Sequence, residues 1–198
     1  MTTRRTVLSG LVALPLATPQ LASVDLRSPA HRLIDAARQQ IGVTTQYDPA
    51  YVGLDYPGGD VPIGRGVCTD VVIRALRRAF EFDLQKAIHE DMSAAFDAYP
   101  GIWGLSRPDR NIDHRRVPNL ETFFRRMDTE RDLTDAQPGD LLTCRVPRNL
   151  PHIAVVSNRR ARDGTWAAIH NIGRGTQETA LIGRFEAERL FRFIPAQI

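Results

Sequence analysis

Apolar positions recur with a helical period through the first two thirds of the chain and with a strand period through the last third. Leu33, Ile34, Ala37 and Ile41 mark one face of a helix opened by Ser28-Pro29 and stopped by Gly42. A second helix buries Val71, Val72, Ala75, Leu76 and Ala79. A third carries Leu84, Ala87, Ile88, Met92, Ala95, Phe96 and Tyr99 up to Pro100-Gly101, and a fourth carries Leu120, Phe123, Phe124 and Met127. After Pro138-Gly139 the pattern changes. Residues 140–146, 152–158, 166–172 and 190–194 read as short strands divided by turn residues. Helices first and strands afterwards, with no βαβ alternation, predict an α+β fold: N-terminal helices packed on a C-terminal antiparallel sheet.

Two stretches fall outside this pattern. Residues 44–66 hold five glycines and three prolines, a connection long enough to suggest a functional loop. Residues 101–117 are irregular and polar. At the N-terminus, Arg4-Arg5 precedes an apolar run from Val7 to Ala17, too short to span a bilayer. Residues 1–22 therefore read as an export signal of twin-arginine type, leaving 23–198 as a single domain in the periplasm or outside the cell, with no membrane span once the leader is removed. The net charge is +3, of which Arg4 and Arg5 supply two, so no nucleic-acid partner is indicated.

The candidate chemistry centres on Cys68. Gly64-Arg65-Gly66-Val67 leads into the second helix, placing the thiol in its first turn, where free backbone N–H groups and the helix dipole favour thiolate. A cysteine nucleophile needs a base, and His152 and His170 both lie in strand-like sequence. A hairpin turn centred on Ala161 would oppose them directly, Cβ atoms about 5 Å apart. A slip of one residue would oppose His152 to Asn171 instead. Either neighbour could orient His152. Taken singly, His152 also fits a strand-edge histidine and His170 a core one. Cys144, in a strand-like run, fits a buried free cysteine, the alternative being a Cys68–Cys144 disulfide. Tyr47, in the long loop, fits a surface-packed aromatic. Asp113-His114-Arg115-Arg116 could clamp a substrate carboxylate or form an ion-pair knot. Neither Gly64-Arg65-Gly66 nor Gly173-Arg174-Gly175 completes a dinucleotide motif, His89-Glu90-Asp91 lacks a second zinc histidine, and no Gly-x-Ser-x-Gly is present. No cofactor or metal is expected.

A Cys at a helix start, Pro138-Gly139-Asp140-Leu141-Leu142, His152-Ile153-Ala154-Val155-Val156 and a third strand with a polar residue follow the order of the NlpC/P60 superfamily of papain-like cysteine peptidases and amidases. Tyr56-Pro57-Gly58-Gly59-Asp60-Val61-Pro62, Gly66-Val67-Cys68-Thr69-Asp70 and Asn111-Ile112-Asp113-His114-Arg115-Arg116-Val117 more specifically resemble an exported bacterial family, domain of unknown function 1287. The resemblance implies Cys68 as nucleophile, His152 as base and His170 as orienting residue, with Tyr47, Asp70, His114, Arg115 and Asn171 as candidate substrate contacts. It also implies a cell-wall peptide as substrate. Superfamily members often read Asp-Cys-Ser at the nucleophile, where this chain has Val67-Cys68-Thr69, so the bond cleaved stays open. The same triad would serve an acyltransferase or deamidase, and the same groove a non-catalytic binding module.

Overall fold

The computed structural model describes residues 28–195. The expected export signal lies outside the described residues. The described residues form four α-helices: α1 (Pro29–Arg38), α2 (Cys68–Phe80), α3 (Leu84–Ala94) and α4 (Val117–Arg126). The 44–66 segment contributes β1 (Gln46–Tyr47) and β2 (Arg65–Gly66), a short parallel pair. The remaining strands are β3 (Glu130–Arg131), β4 (Leu141–Val146), β5 (Leu150–Arg160), β6 (Trp166–Asn171), β7 (Thr176–Ala180) and β8 (Glu186–Phe191). They form one antiparallel sheet in the order β3-β8-β4-β5-β6-β7. The α+β arrangement expected from the sequence is therefore present.

Side-chain alternation divides the core in two. Leu141, Ile153, Val155, Ile169 and Phe191 join Leu33, Ile34, Val72, Leu76, Leu120 and Phe124 between the helices and the sheet. Leu142, Cys144, Ala154, Val156, Ala168 and Leu190 face the other way and are covered with help from Leu181, Ile182 and Phe185 of the β7–β8 connection. Both faces of the central strands are thus buried, which is why they read as near-continuous apolar runs. Among the described residues, no helix is long and apolar enough to cross a membrane.

Three local predictions need adjustment. The third helix ends at Ala94, not Tyr99, because Ala95 leaves helical backbone (φ −147°) and a short turn at Phe96–Ala98 brings the Tyr99 hydroxyl back to Asp91 at 2.7 Å. The β7 strand was not predicted: Thr176-Gln177-Glu178-Thr179-Ala180 is a polar edge strand without apolar alternation. The last strand starts at Glu186, earlier than its apolar end at Leu190 suggested.

The start of α2 is fixed by a buried ion pair. Arg115 donates from Nε and Nη2 to the two Asp70 carboxylate oxygens, both at 3.0 Å, with each side chain almost fully enclosed. Its remaining N–H groups reach the Ala50 and Asp48 carbonyls at 3.2 Å. Asp70 in turn accepts the Val67 N–H at 2.6 Å. Gly66 is required here, since a Cβ at that position would lie 2.8 Å from Asp70 Oδ2. Farther along α2, Arg74 holds the other end of the loop through Asp60 and the Val61 and Arg65 carbonyls.

Removing one member of the Asp70–Arg115 pair leaves the other buried and unpaired. Asp70→Ala or Arg115→Met alone should each lower stability by about 3–5 kcal/mol. The double variant should lose clearly less than the sum of the two, as measured by urea titration. Strict additivity would show that the two groups do not act as a unit.

Candidate active site

Cys68 is the first residue of α2, and the residues before it are pinned from two sides. Asp70 holds the Val67 N–H, and Asn171 on β6 donates from Nδ2 to the Gly66 carbonyl at 2.9 Å. The thiol is only 4% exposed. Burial pushes its pKa up to about 11, with the Asp70 charge adding to the rise, while the N–H groups of Ile153, Thr69 and Cys68 itself oppose it. The thiolate favoured by a helix start alone is therefore not the resting state: desolvation outweighs the helix amides.

His152 lies on β5 and is likewise buried. Its Nε2 is 3.1 Å from Nδ1 of His170 on β6, the rings nearly perpendicular at 89°. His170 Nε2 is in turn 2.9 Å from Thr179 Oγ1 on β7. Side chains from three adjacent strands thus form one hydrogen-bonded row. Burial first, then His170, lowers the His152 pKa to about 3. Burial first, then the Arg184 charge, lowers that of His170 to about 4. Both imidazoles are neutral at pH 7.

The strand register differs from the expected one. Val155 pairs with Ile169 and Val156 with Ala168, while the hairpin closes through Arg160 and Trp166. Residues 157–159 make β5 locally longer than β6, so His152 is displaced by two positions and meets His170 diagonally rather than head on. Because the displacement is even, the two histidines stay on one face. The direct cross-strand partner of His152 is Cys144 on β4. Cys68 and Cys144 are both free, and burial first, then Cys68, raises the Cys144 pKa to about 12.

Cys68 and the histidines line adjoining cavities. One, of about 650 Å³, is lined by His152, His170, Gln177 and Thr179. The other, of about 360 Å³, is lined by Cys68, Val67, Ile102 and Trp103. Tyr47 and Pro151 belong to both walls. The N–H of Ile153, the residue after His152, stands close enough to the Cys68 sulfur to favour its thiolate. Among the described residues, no hydrogen bond joins the thiol to His152 itself. Catalytic contacts are often longer before substrate binds.

The other expected substrate contacts are distributed unevenly. Tyr47 stands at the junction of the cavities, its phenol raised to about 12 by burial first and then by Cys68 and Asp70. Asp70 and Arg115 hold each other, so the Arg115 guanidinium positions the helix start instead of offering a free fork to a carboxylate. Asn171 supports the turn before Cys68 and leaves the orienting place beside His152 to His170. His114 is buried and lines neither cavity; burial first, then Arg115, lowers its pKa to about 4, and among the described residues its Nδ1 has no hydrogen-bond partner. Thr179 was not anticipated, because a threonine in a polar stretch gives no signal until β7 is seen to pair with β6.

Residues 34–193 match a family described as domain of unknown function (DUF1287). The Escherichia coli (strain K12) "Uncharacterized protein YijF" is 55% identical over 165 residues, covering 81% of this chain and 80% of that protein. Among solved structures, NlpC1 from Trichomonas vaginalis matches with a TM-score of 0.45 at 12% identity, covering 86% of this chain and 46% of that one. By the family match and the YijF identity, the chain belongs to the DUF1287 family.

Proposed function

We propose that the protein is an exported papain-like cysteine hydrolase that cleaves an amide bond, with peptidoglycan stem peptides as its substrate. The observation that carries the reading is the hydrogen-bonded row His152–His170–Thr179, in a cavity adjoining the one lined by a cysteine at a helix start. With His170 donating from Nε2 to Thr179, its Nδ1 accepts from His152 Nε2, which leaves His152 Nδ1 as the basic nitrogen. The reading requires substrate entry to bring that nitrogen and the Cys68 sulfur within hydrogen-bonding reach.

The thiol proton passes to His152 as sulfur attacks the amide carbonyl. Helix-start amides, that of Cys68 included, receive the developing oxyanion. The C–N bond breaks as His152 returns the proton to the leaving amine. Water then cleaves the thioester, releasing a carboxylate and restoring the thiol. The Arg4-Arg5 leader supports action outside the cytoplasm. The enclosed, neutral thiol favours one competing reading, a groove used for recognition alone.

Incubation with purified muropeptides, followed by mass spectrometry, separates these readings. Cys68→Ala and His152→Ala should abolish turnover, whereas Cys144→Ser should retain most of it. Thr179→Val should lower kcat about tenfold to a hundredfold by freeing the His170 ring. Full turnover in Cys68→Ala would end the hydrolase reading.

The pKa shifts set a pH dependence for the free protein. Below its pKa near 11 the thiol stays protonated, and His152 does not take up a proton until well below pH 5. Iodoacetamide labelling of Cys68 should therefore be slow at pH 6 and still rising at pH 10. A plateau near pH 7 would show a resting thiolate.

A further inference from the structure

The cavity on the histidine side carries charge of one sign. Arg148, Arg174 and Arg184 reach its wall from three separate loops: the turn after β4, the β6–β7 turn and the β7–β8 connection. No Asp or Glu lines it, and none of the three guanidinium groups is in a salt bridge among the described residues. Other arginines, Arg38, Arg74, Arg115 and Arg192 among them, are committed to carboxylates. Three arginines without a carboxylate partner, around a concavity with no acidic lining residue, leave its wall positive.

Two further observations tie this rim to the candidate site. The Arg184 charge depresses the pKa of His170, which places it within electrostatic reach of the imidazole row. Arg148 and the adjacent Asn149 both hold left-handed backbone, φ 67° and 58°, a conformation unfavourable for non-glycine residues. That strain is kept where it projects Arg148 onto the cavity wall, as strained positions often are at ligand sites. The adjoining cavity beside Cys68 is different in kind: Val67, Ile102, Trp103 and Val117 line it, and its arginines, Arg115 and Arg116, are paired with Asp70 and Asp113.

We infer that the arginine-rimmed cavity is the specificity subsite for a carboxylate-bearing peptide flank, and that the apolar lobe beside Cys68 takes the opposite, uncharged flank of the same bond. The planar guanidinium fork pairs with two carboxylate oxygens at once, so three of them select an acidic peptide over its amide counterpart. This assignment rests on the proposed hydrolase reading for the position of the bond, but its charge selection does not require turnover.

The test uses Cys68→Ala protein, which cannot turn over, and two probes, dansyl-Ala-Glu-Glu-Glu and dansyl-Ala-Gln-Gln-Gln, followed by fluorescence anisotropy at low salt. The acidic probe should bind about tenfold or more tightly than the amide probe, since each exposed ion pair contributes a few tenths to one kcal/mol. Raising the salt should shrink the preference. Arg148→Gln/Arg174→Gln/Arg184→Gln should remove it. Should the triple variant not fold, the single Arg174→Gln variant should show about a twofold loss. Equal binding of the two probes, no binding of either, or a preference that survives in the variants would overturn the subsite while leaving Cys68 chemistry untouched. Conversely, an intact preference in a protein whose Cys68 proves dispensable for turnover would sink the hydrolase reading alone.

Discussion

The Asp70–Arg115 pair is the constraint on which the site is built. Two charges removed from water must recover their lost hydration from fixed partners, and these do. Arg115 reaches both Asp70 oxygens and the carbonyls of Asp48 and Ala50, while Asp70 also caps Val67. Geometry follows from that requirement. The first turn of α2, the strand bearing Tyr47 and the turn at Asp113–Arg115 are locked to one another because a displacement of any of them would strand a buried charge. Such a pair adds little net stability over an apolar replacement, but it specifies where the helix begins and hence where Cys68 stands.

A second constraint comes from the sheet. The imidazole row exists because β5, β6 and β7 are neighbours, with successive polar side chains on a common face. On the opposite side of β5, Ile153 and Val155 pack under α2. The Ile153 N–H, turned toward the thiol, links the helix side of the sheet to the histidine side. Cys68 and His152 are thus positioned by separate elements, one by the α2 start and the other by the strand register.

Much of this was legible from residue order. Helical spacing located α1, α2 and α4, because each presents a single apolar face to a shared core. The two histidines could be placed together without the correct register, since strand parity survives an error of two residues but not of one. What failed had a tertiary cause. The β7 strand and Thr179 were hidden because an edge strand owes its existence to its neighbour's hydrogen bonds and not to its own apolar pattern. Arg115 could be read as a substrate clamp or as part of an ion-pair knot, and sequence cannot show that Asp70 lies opposite it and makes it the latter. The protonation state of Cys68 was misjudged because the helix start is visible in sequence and the burial that outweighs it is not.

That neutral resting state has a bearing on how charge would develop. Cys68 and His152 sit where desolvation resists both thiolate and imidazolium, and the Arg184 field further disfavours a cation on His170. An anion seated between the rim arginines cancels part of that field and favours positive charge on the imidazole row. It does so on the side away from the sulfur, so it supports the imidazolium more than it opposes the thiolate. On the proposed hydrolase reading, binding of an acidic flank would lower the cost of separating charge between His152 and Cys68 during attack, making specificity and activation consequences of one electrostatic arrangement.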